Sequence, residues 1–411
     1  MQLANNQYEI QGLSALEICE KFDTPLYVYD ADKIIEKIGI LKQSFSNVNL
    51  KIKYACKALT NLSILKLMRK HGVGLDVVSP QELELAFLAG YQGNEVTFTP
   101  SGVSFDEIEK AIEAGCKVNL DNLDVLEKFG LKYGNTKPCM LRIKPNVAAG
   151  GMHKIMTAHE GSKFGISILQ KDEIQAIIKK YDINVVGLHQ HTGSDIKEAS
   201  AFLEVAEKMF ELAMEFPHLE ILDFGGGFKV PYKKGDHLTD MAKLGAEISA
   251  EFQQFCKKYG RELELWFEPG KFLVSEAGTF LVKTNVVKND PKINFVGVNS
   301  GLNHLIRPMM YDAYHDIFNV SNTNEAQKET YTIVGYICET DTFGENRELN
   351  QVSEGDILGF RNGGAYGYTM ASNYNSRFRP AEVLVVNGEA KLIRERETMK
   401  NIIDGQVIVE V

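Results

Sequence analysis

The sequence predicts an α/β protein joined to a β domain: a (β/α)8 TIM-like barrel followed by a second, mostly antiparallel β domain. Three observations predict it. Between residues 51 and 270, eight short β-rich runs alternate with amphipathic helical stretches. After Ser275 strand-like runs continue but the intervening helices disappear. The length, 411 residues, exceeds one average domain. The barrel is drawn at residues 25–275, and residues 1–24 plus 276–411 form a β-sandwich or β-barrel-like domain.

The eight runs are KIKYACK (51–57), GLDVVS (74–79), VTFTPS (96–101), VNLDN (118–122), CMLRIKP (139–145), VVGLHQH (185–191), ILDFGGG (221–227) and LELWFEPG (263–270). Between them, NLSILKLMRKHG sets Leu62, Leu65 and Met68 on one face at helical spacing. In SFDEIEKAIEAG, Ser104 and Glu107 have the spacing of a capping box, and Gly115 stands where a helix stops. From pattern alone an open, doubly wound sheet is the alternative. The runs FLVKTNVVK, KINFVGVNS, ETYTIVGYICE, DILGF and AEVLVVNG supply the β domain. PLYVYD (25–30) precedes the first barrel run, so the chain starts beside the β domain and returns to it.

Composition narrows the function classes. With 44 % hydrophobic and 24 % charged residues the chain is of ordinary globular type. A net charge of −10 disfavours nucleic acid, whose phosphates need clustered Lys and Arg. No run of apolar residues is long enough to cross a membrane, and the start, MQLANNQYEI, lacks the basic flank and apolar run expected of a signal peptide, so none is expected. The six cysteines are scattered without a CxxC pair, which argues against a zinc site or a disulfide framework. These features point to a reducing, cytoplasmic setting, and no metal is expected.

In a (β/α)8 barrel, chemistry gathers at the C-terminal ends of the strands. Here those ends carry Lys57, His191, Gly225-Gly226-Gly227 and Glu268-Pro269-Gly270. Each alone has a bland explanation. A lysine after a strand is usually a solvated charge, three glycines are often a tight turn, a glutamate before Pro-Gly is a turn residue, and His191 or His189 could be structural. Together they suit one cofactor. A lysine at a barrel mouth can condense with an aldehyde. A glycine triplet lets backbone N–H groups approach a phosphate. A carboxylate beside a pyridine nitrogen keeps it protonated and makes the ring an electron sink. An imidazole can stack on that ring.

YACKA (54–58), HTGSD (191–195), DFGGGF (223–228) and EPGK (268–271) resemble the alanine-racemase-fold, or type III, decarboxylases that use pyridoxal 5'-phosphate (PLP). LIRPMMYDAYH (305–315), CETDTF (338–343) and GAYGYTMASNYNSRFRPAEVL (364–384) narrow the similarity to the diaminopimelate decarboxylase family. The resemblance runs along nearly the whole chain, in order. It implies decarboxylation of meso-2,6-diaminopimelate to L-lysine and CO2. Lys57 then carries PLP, His191 stacks on its ring, and Ser194 with Gly225, Gly226 and Gly227 holds the phosphate. Glu268, followed by Pro269 and Gly270, pairs with the ring nitrogen, and Asp76 supports the site from below. Tyr366 touches the phosphate end and borders the substrate. Arg307, Tyr311 and Glu339 bind the substrate's distal amino-acid end, an Arg–Tyr–Glu set suited to a zwitterion. Cys338 donates a proton, and in this family its loop comes from the neighbouring subunit, which implies a homodimer with shared active sites.

One position departs from the family pattern. Where the family usually has EPGR, this sequence has Lys271. Lysine keeps the charge but loses the guanidinium's two-pronged geometry, so its role toward phosphate or substrate carboxylate is open. The nearest rival reading is a related decarboxylase acting on ornithine, arginine or carboxynorspermidine, which lack the second amino-acid end. A racemase needs a base on each face of Cα, and no second one stands out. A PLP carrier resembles the barrel alone, and a decarboxylase-like regulator would have lost its chemistry, whereas Lys57, His191, Glu268 and Cys338 are all present.

Overall fold

The structure, a computed structural model, describes residues 1–145, 162–191, 193, 199–233, 235–236, 238–324 and 326–410. The chain packs as two units. One comprises residues 1–35, 232–236 and 274–411, and the other residues 36–231 and 237–273.

The chain opens with a small antiparallel sheet, β1 (Gln2–Ala4), β2 (Gln7–Ile10) and β3 (Leu13–Ser14), followed by helix α1 (Ala15–Phe22), β4 (Leu26–Asp30) and α2 (Ala31–Ser44). The barrel unit then begins its alternation: β5 (Leu50–Ala55), α3 (Leu62–Lys70), β6 (Gly74–Val77), α4 (Pro80–Leu88), β7 (Val96–Phe98), α5 (Phe105–Glu113), β8 (Lys117–Leu120), α6 (Leu123–Tyr133) and β9 (Pro138–Lys144). It continues with the two-residue β10 (Ile166–Ser167), α7 (Lys171–Tyr181), β11 (Asn184–His189), α8 (Ala199–Ala213), β12 (Ile221–Asp223), α9 (Met241–Tyr259) and β13 (Glu264–Phe267). The parallel order β5-β6-β7-β8-β9-β11-β12-β13 closes on itself, because β13 pairs with β5 and β8 with β9. All eight runs read from the sequence are strands of this barrel, which excludes the open sheet.

The helices form where local chemistry asks for them. Asn61, Ser79, Asn122 and Asp240 cap α3, α4, α6 and α9 by accepting a bond from a first-turn N–H, each cap worth about 1 kcal/mol. The Ser104–Glu107 capping box is present: Ser104 Oγ accepts from Glu107 N, and Glu107 Oε2 accepts from Ser104 N at 3.0 Å. Its apolar stripe, Ile108, Ala111 and Ile112, is buried, and Gly115 leaves the helix at φ +82°. Inside the barrel, Met140, Val186, Ile221 and Trp266 pack together. Lys53 lies over the Trp266 ring at 4.4 Å and donates to the Glu95 carbonyl at the entry to β7. Burial pulls its ammonium down to about 8.

The second unit is built on β14 (Gly278–Asn289), β15 (Asn294–Val298), β16 (Ile317–Asn319), β17 (Lys328–Val334), β18 (Thr342–Asn350), β19 (Ile357–Phe360), β20 (Ala381–Val386) and β21 (Glu389–Arg394). Its main path runs β18-β17-β15-β14-β4-β20-β21, with β19 joining β14 to β16. Most pairings are antiparallel; β15–β17 and β4–β20 are parallel. Residues 25–35, drawn with the barrel from sequence, belong to this unit instead. The reason is burial. Leu26, Tyr27, Val28 and Tyr29 are all fully covered, so this run must be an inner strand, flanked by β14 and β20. The two tyrosine hydroxyls are satisfied inside, Tyr27 by the His304 carbonyl and Tyr29 by Glu382, both at 2.7 Å. Among the described residues, no helix is long and apolar enough to cross a membrane.

Candidate active site

The parallel register of the barrel places ionisable side chains side by side. His189 lies opposite Arg142 on one neighbouring strand and Asp223 on the other. These three are therefore level and on one face of the sheet, as side chains in register are. Glu268 follows the end of β13, just above Trp266, which is itself paired with Asp223. His189, Asp223 and Glu268 are all buried, and each brings one nitrogen or oxygen within 4.8 Å of the others.

The protonation of this cluster follows from its geometry. His189 Nε2 and Glu268 Oε2 are 2.9 Å apart. Burial opposes charge on Glu268, but His189, through charge and this hydrogen bond, and Asp223 beside it hold the carboxyl down to about 2. Asp223 goes the other way: burial and the nearby Glu268 charge push it well above the usual carboxylate range. One negative charge is thus shared by two carboxyls, carried on Glu268 with the proton on Asp223, as expected when like charges are forced together. Burial also lowers His189. Facing a carboxylate, His189 carries a proton on Nε2 and donates it.

Glu268 Oε1 is buried and makes no hydrogen bond of ordinary length among the described residues. A carboxylate oxygen can accept more than one bond, so beside the proton on Asp223 this buried, ionised group has capacity left for a further donor. A protonated ring nitrogen is the kind of group that would satisfy it, so the floor of this mouth fits a pyridine cofactor.

The other predicted groups ring this floor. Lys57 sits in a short 3-10 turn, Cys56–Ala58, directly after β5. Its side chain is exposed, and its charge bears on Asp76, Glu82, His189 and His191. Asp76, at the end of β6, is fully buried and raised well above its usual range by burial and then by Glu268. His191 accepts a bond at Nδ1 from the Gly226 N–H at 3.1 Å. Burial, helped by Lys57 and Arg142, pushes its ring down to about 3, so it is a neutral, flat surface at neutral pH.

The glycine triplet is required by space as well as by conformation. Gly225 and Gly227 are left-handed, at φ +65° and +108°. A Cβ on Gly225 would lie 2.6 Å from His191 Nδ1, and one on Gly226 2.6 Å from the Glu268 carbonyl. Among the described residues, Gly225 donates to Asp223 Oδ1 at 2.8 Å, and Gly226 to His191. Pro269 accepts from the Ala55 N–H, and Gly270 accepts from Leu273, opening the short turn in which Lys271 lies buried. Ser194 lies outside the described residues.

The remaining predicted residues lie in the β unit. Arg307 is buried at the start of a short helix, Arg307–Tyr311. Its Nη1 donates to the Tyr232 hydroxyl at 3.1 Å, and its guanidinium lies 5.3 Å from the Tyr232 ring centre. His315 meets the same ring edge-on at 6.0 Å. Tyr311 is half-buried, whereas Cys338 and Glu339 are exposed. The Tyr374 hydroxyl bonds to Glu339, and Asn375 Nδ2 donates to Cys338 Sγ at 3.4 Å. Tyr366 is held at φ +56°. Two residues earlier, Gly364 packs so close to Val274 that a Cβ would lie 1.8 Å from that carbonyl.

Sequence reasoning singled out Glu268 but missed its buried companions Asp223 and Arg142, and it missed Tyr232 beside Arg307. The signal was present: a charged residue inside an apolar barrel strand, as in CMLRIKP and ILDF, is expensive unless it has a task.

Comparison with known proteins agrees with this geometry. Residues 31–275 match the family model for the pyridoxal binding domain of pyridoxal-dependent decarboxylases. The diaminopimelate decarboxylase of Neisseria meningitidis serogroup B is 38 % identical, covering 93 % of both chains. That of Bacillus subtilis is 35 % identical, covering 98 % of this chain and 95 % of its own. The crystal structure of the Methanocaldococcus jannaschii enzyme with L-lysine superposes with a TM-score of 0.91 at 34 % identity, covering 99 % of this chain and 98 % of that one. A lysine/ornithine decarboxylase from Vibrio vulnificus shares the fold, with a TM-score of 0.78 at 23 % identity. With relatives of this similarity along nearly its full length, and a barrel floor suited to a pyridine ring, the chain belongs to the diaminopimelate decarboxylases, within the pyridoxal-dependent decarboxylases.

Proposed function

We infer that this chain is a carboxy-lyase that uses PLP to convert meso-2,6-diaminopimelate to L-lysine and CO2, the last step of lysine biosynthesis by the diaminopimelate pathway. The observation that carries this reading is a buried, ionised Glu268 carboxylate on the floor of a barrel mouth rimmed by Lys57 and His191, in a chain of this family. Bound there, PLP supplies an electron sink for the breaking Cα–carboxylate bond.

The residue roles are our proposals. Lys57 carries the cofactor through its amine. Glu268 keeps a proton on the ring nitrogen, and Asp223 and His189 keep Glu268 ionised. His191, neutral and bonded to Gly226, offers its flat face to the ring. The Gly225 and Gly226 N–H groups are already engaged, so we assign the Gly227 N–H, with Ser194, to the phosphate. Pro269 and Gly270 shape the turn that presents Lys271, whose charge suits the phosphate or the substrate carboxylate, and Tyr366 lies at the phosphate end. Arg307, held by Tyr232, binds the substrate's distal carboxylate, with Tyr311 and Glu339 completing the distal clamp. Cys338 delivers a proton to Cα.

We also propose a homodimer in which Cys338 serves the partner's active site. Its exposure, together with that of Glu339, supports this. Light scattering should give twice the chain mass, and a stable monomer at assay concentration counts against the shared site. The scattered cysteines suit the cytoplasm, which cell fractionation tests.

The deciding experiment is CO2 release from meso-diaminopimelate by purified protein with added PLP, beside Lys57→Ala. The wild type should release CO2 and form lysine. The variant should lose activity on the order of 10⁴–10⁶-fold, the scale on which removal of a covalent catalytic group is felt. No release by a wild type with a normal PLP absorbance band would end the diaminopimelate assignment and turn attention to ornithine, arginine and carboxynorspermidine.

A further inference from the structure

Cys338 and Glu339 sit at the tip of the β17–β18 hairpin. The last ladder pair is Val334–Thr342, and Cys338, Glu339 and Thr340 are exposed beyond it. Within its own chain this tip has little packing to define its shape, yet proton delivery needs a defined sulfur position.

The residue that defines the tip is Asp341. Its carboxylate is 5 % exposed and accepts two backbone bonds, from Leu302 N to Oδ1 at 2.6 Å and from Ile337 N to Oδ2 at 2.8 Å. Its carbonyl accepts from Gly335 N at 2.8 Å, closing the turn. Space around the carboxylate is reserved for it: a Cβ on Gly335 would lie 2.2 Å from Oδ2, and one on Gly301 2.5 Å. The side chain therefore ties the residue just before Cys338 both to its own turn and to the 301–302 segment.

We propose that Asp341 is a positioning residue for Cys338, a two-oxygen clasp that fixes the hairpin tip. This rests on the reading of Cys338 as the proton donor. Only a carboxylate fits the pattern, because both oxygens face N–H donors; an amide would turn its NH2 toward one of them.

The test uses the PLP-loaded enzyme. Five of the six cysteines are buried and Cys338 is exposed, so the rate of labelling by a small alkylating reagent reports on this tip. In Asp341→Asn, Cys338 should be labelled faster. Turnover at saturating substrate should fall about 10–100-fold, the effect of misplacing a reacting group by roughly an ångström, while the bound-cofactor spectrum stays unchanged. Cys338→Ala/Asp341→Asn should turn over no more slowly than Cys338→Ala, since both changes act on one group. Wild-type turnover and labelling in Asp341→Asn overturn the clasp, as does a double variant slowed by the full product of the single effects. Wild-type turnover by Cys338→Ala defeats the proton-donor reading instead, and the labelling rate then still decides the clasp. If Asp341→Asn does not fold, Gly335→Ala displaces the same oxygen and carries the same test.

Discussion

The barrel mouth and the β unit hold their reactive groups in opposite ways. In the barrel, Arg142, His189, Asp223 and Glu268 are buried on strands or directly at strand ends, and their charge states are set by one another. In the β unit, Cys338 and Glu339 stand exposed on a turn, and their order depends on a few bonds from Asp341, Tyr374 and Asn375. The contrast fits the two tasks. A cofactor's electronics need a dry, fixed field, because a low dielectric magnifies every charge. Substrate entry and proton delivery need groups that water and ligand can reach. Arg307 lies between these extremes, buried but aimed by a single hydroxyl and a ring face.

Two substitutions test this contrast. Glu268→Gln removes the charge that the barrel floor is built to hold. We expect kcat to fall about 10²–10³-fold, the scale of a lost electrostatic stabiliser, with an altered pH dependence of the bound-cofactor spectrum. A wild-type spectrum and rate would mean that the ring nitrogen is served elsewhere. Because His189 and Asp223 hold Glu268 well below the usual carboxylate range, it stays ionised through that range. No loss of activity between pH 8 and 5 is therefore expected from this group. Arg307→Lys should act more gently and on a different constant. It keeps a charge but loses the fork and the bond to Tyr232, so KM should rise about 10–100-fold, the worth of a hydrogen bond to a charged group, with kcat little changed. An effect on kcat alone would move Arg307 from substrate binding to the chemical step.

Much of this was legible in the sequence, for local reasons. The eight barrel strands are short apolar runs between periodic helices. The Ser104–Glu107 box and the Gly115 stop depend only on near neighbours. Lys57, His191, the glycine triplet and Glu268 stand at strand ends, where the barrel rule says to look. What was not legible depends on register. Nothing local says that Arg142, His189 and Asp223 lie level, since they come from three strands spread over 82 residues of sequence. PLYVYD, ahead of the first barrel run, placed the start of the chain beside the β domain, but nothing local said that β14 and β20 would flank it, because an apolar run reads the same in either unit.

By itself, then, the sequence determined the alternation of strand and helix, the residues offered at each strand end, and the motifs that mark the family, since all of these reside in short windows. Only the tertiary structure decided which carboxyl is charged, which glycine N–H groups are engaged, and which side chains hold Arg307 and the Cys338 turn. The reason is physical: burial and through-space contact set those properties, and both are made by residues distant in the chain.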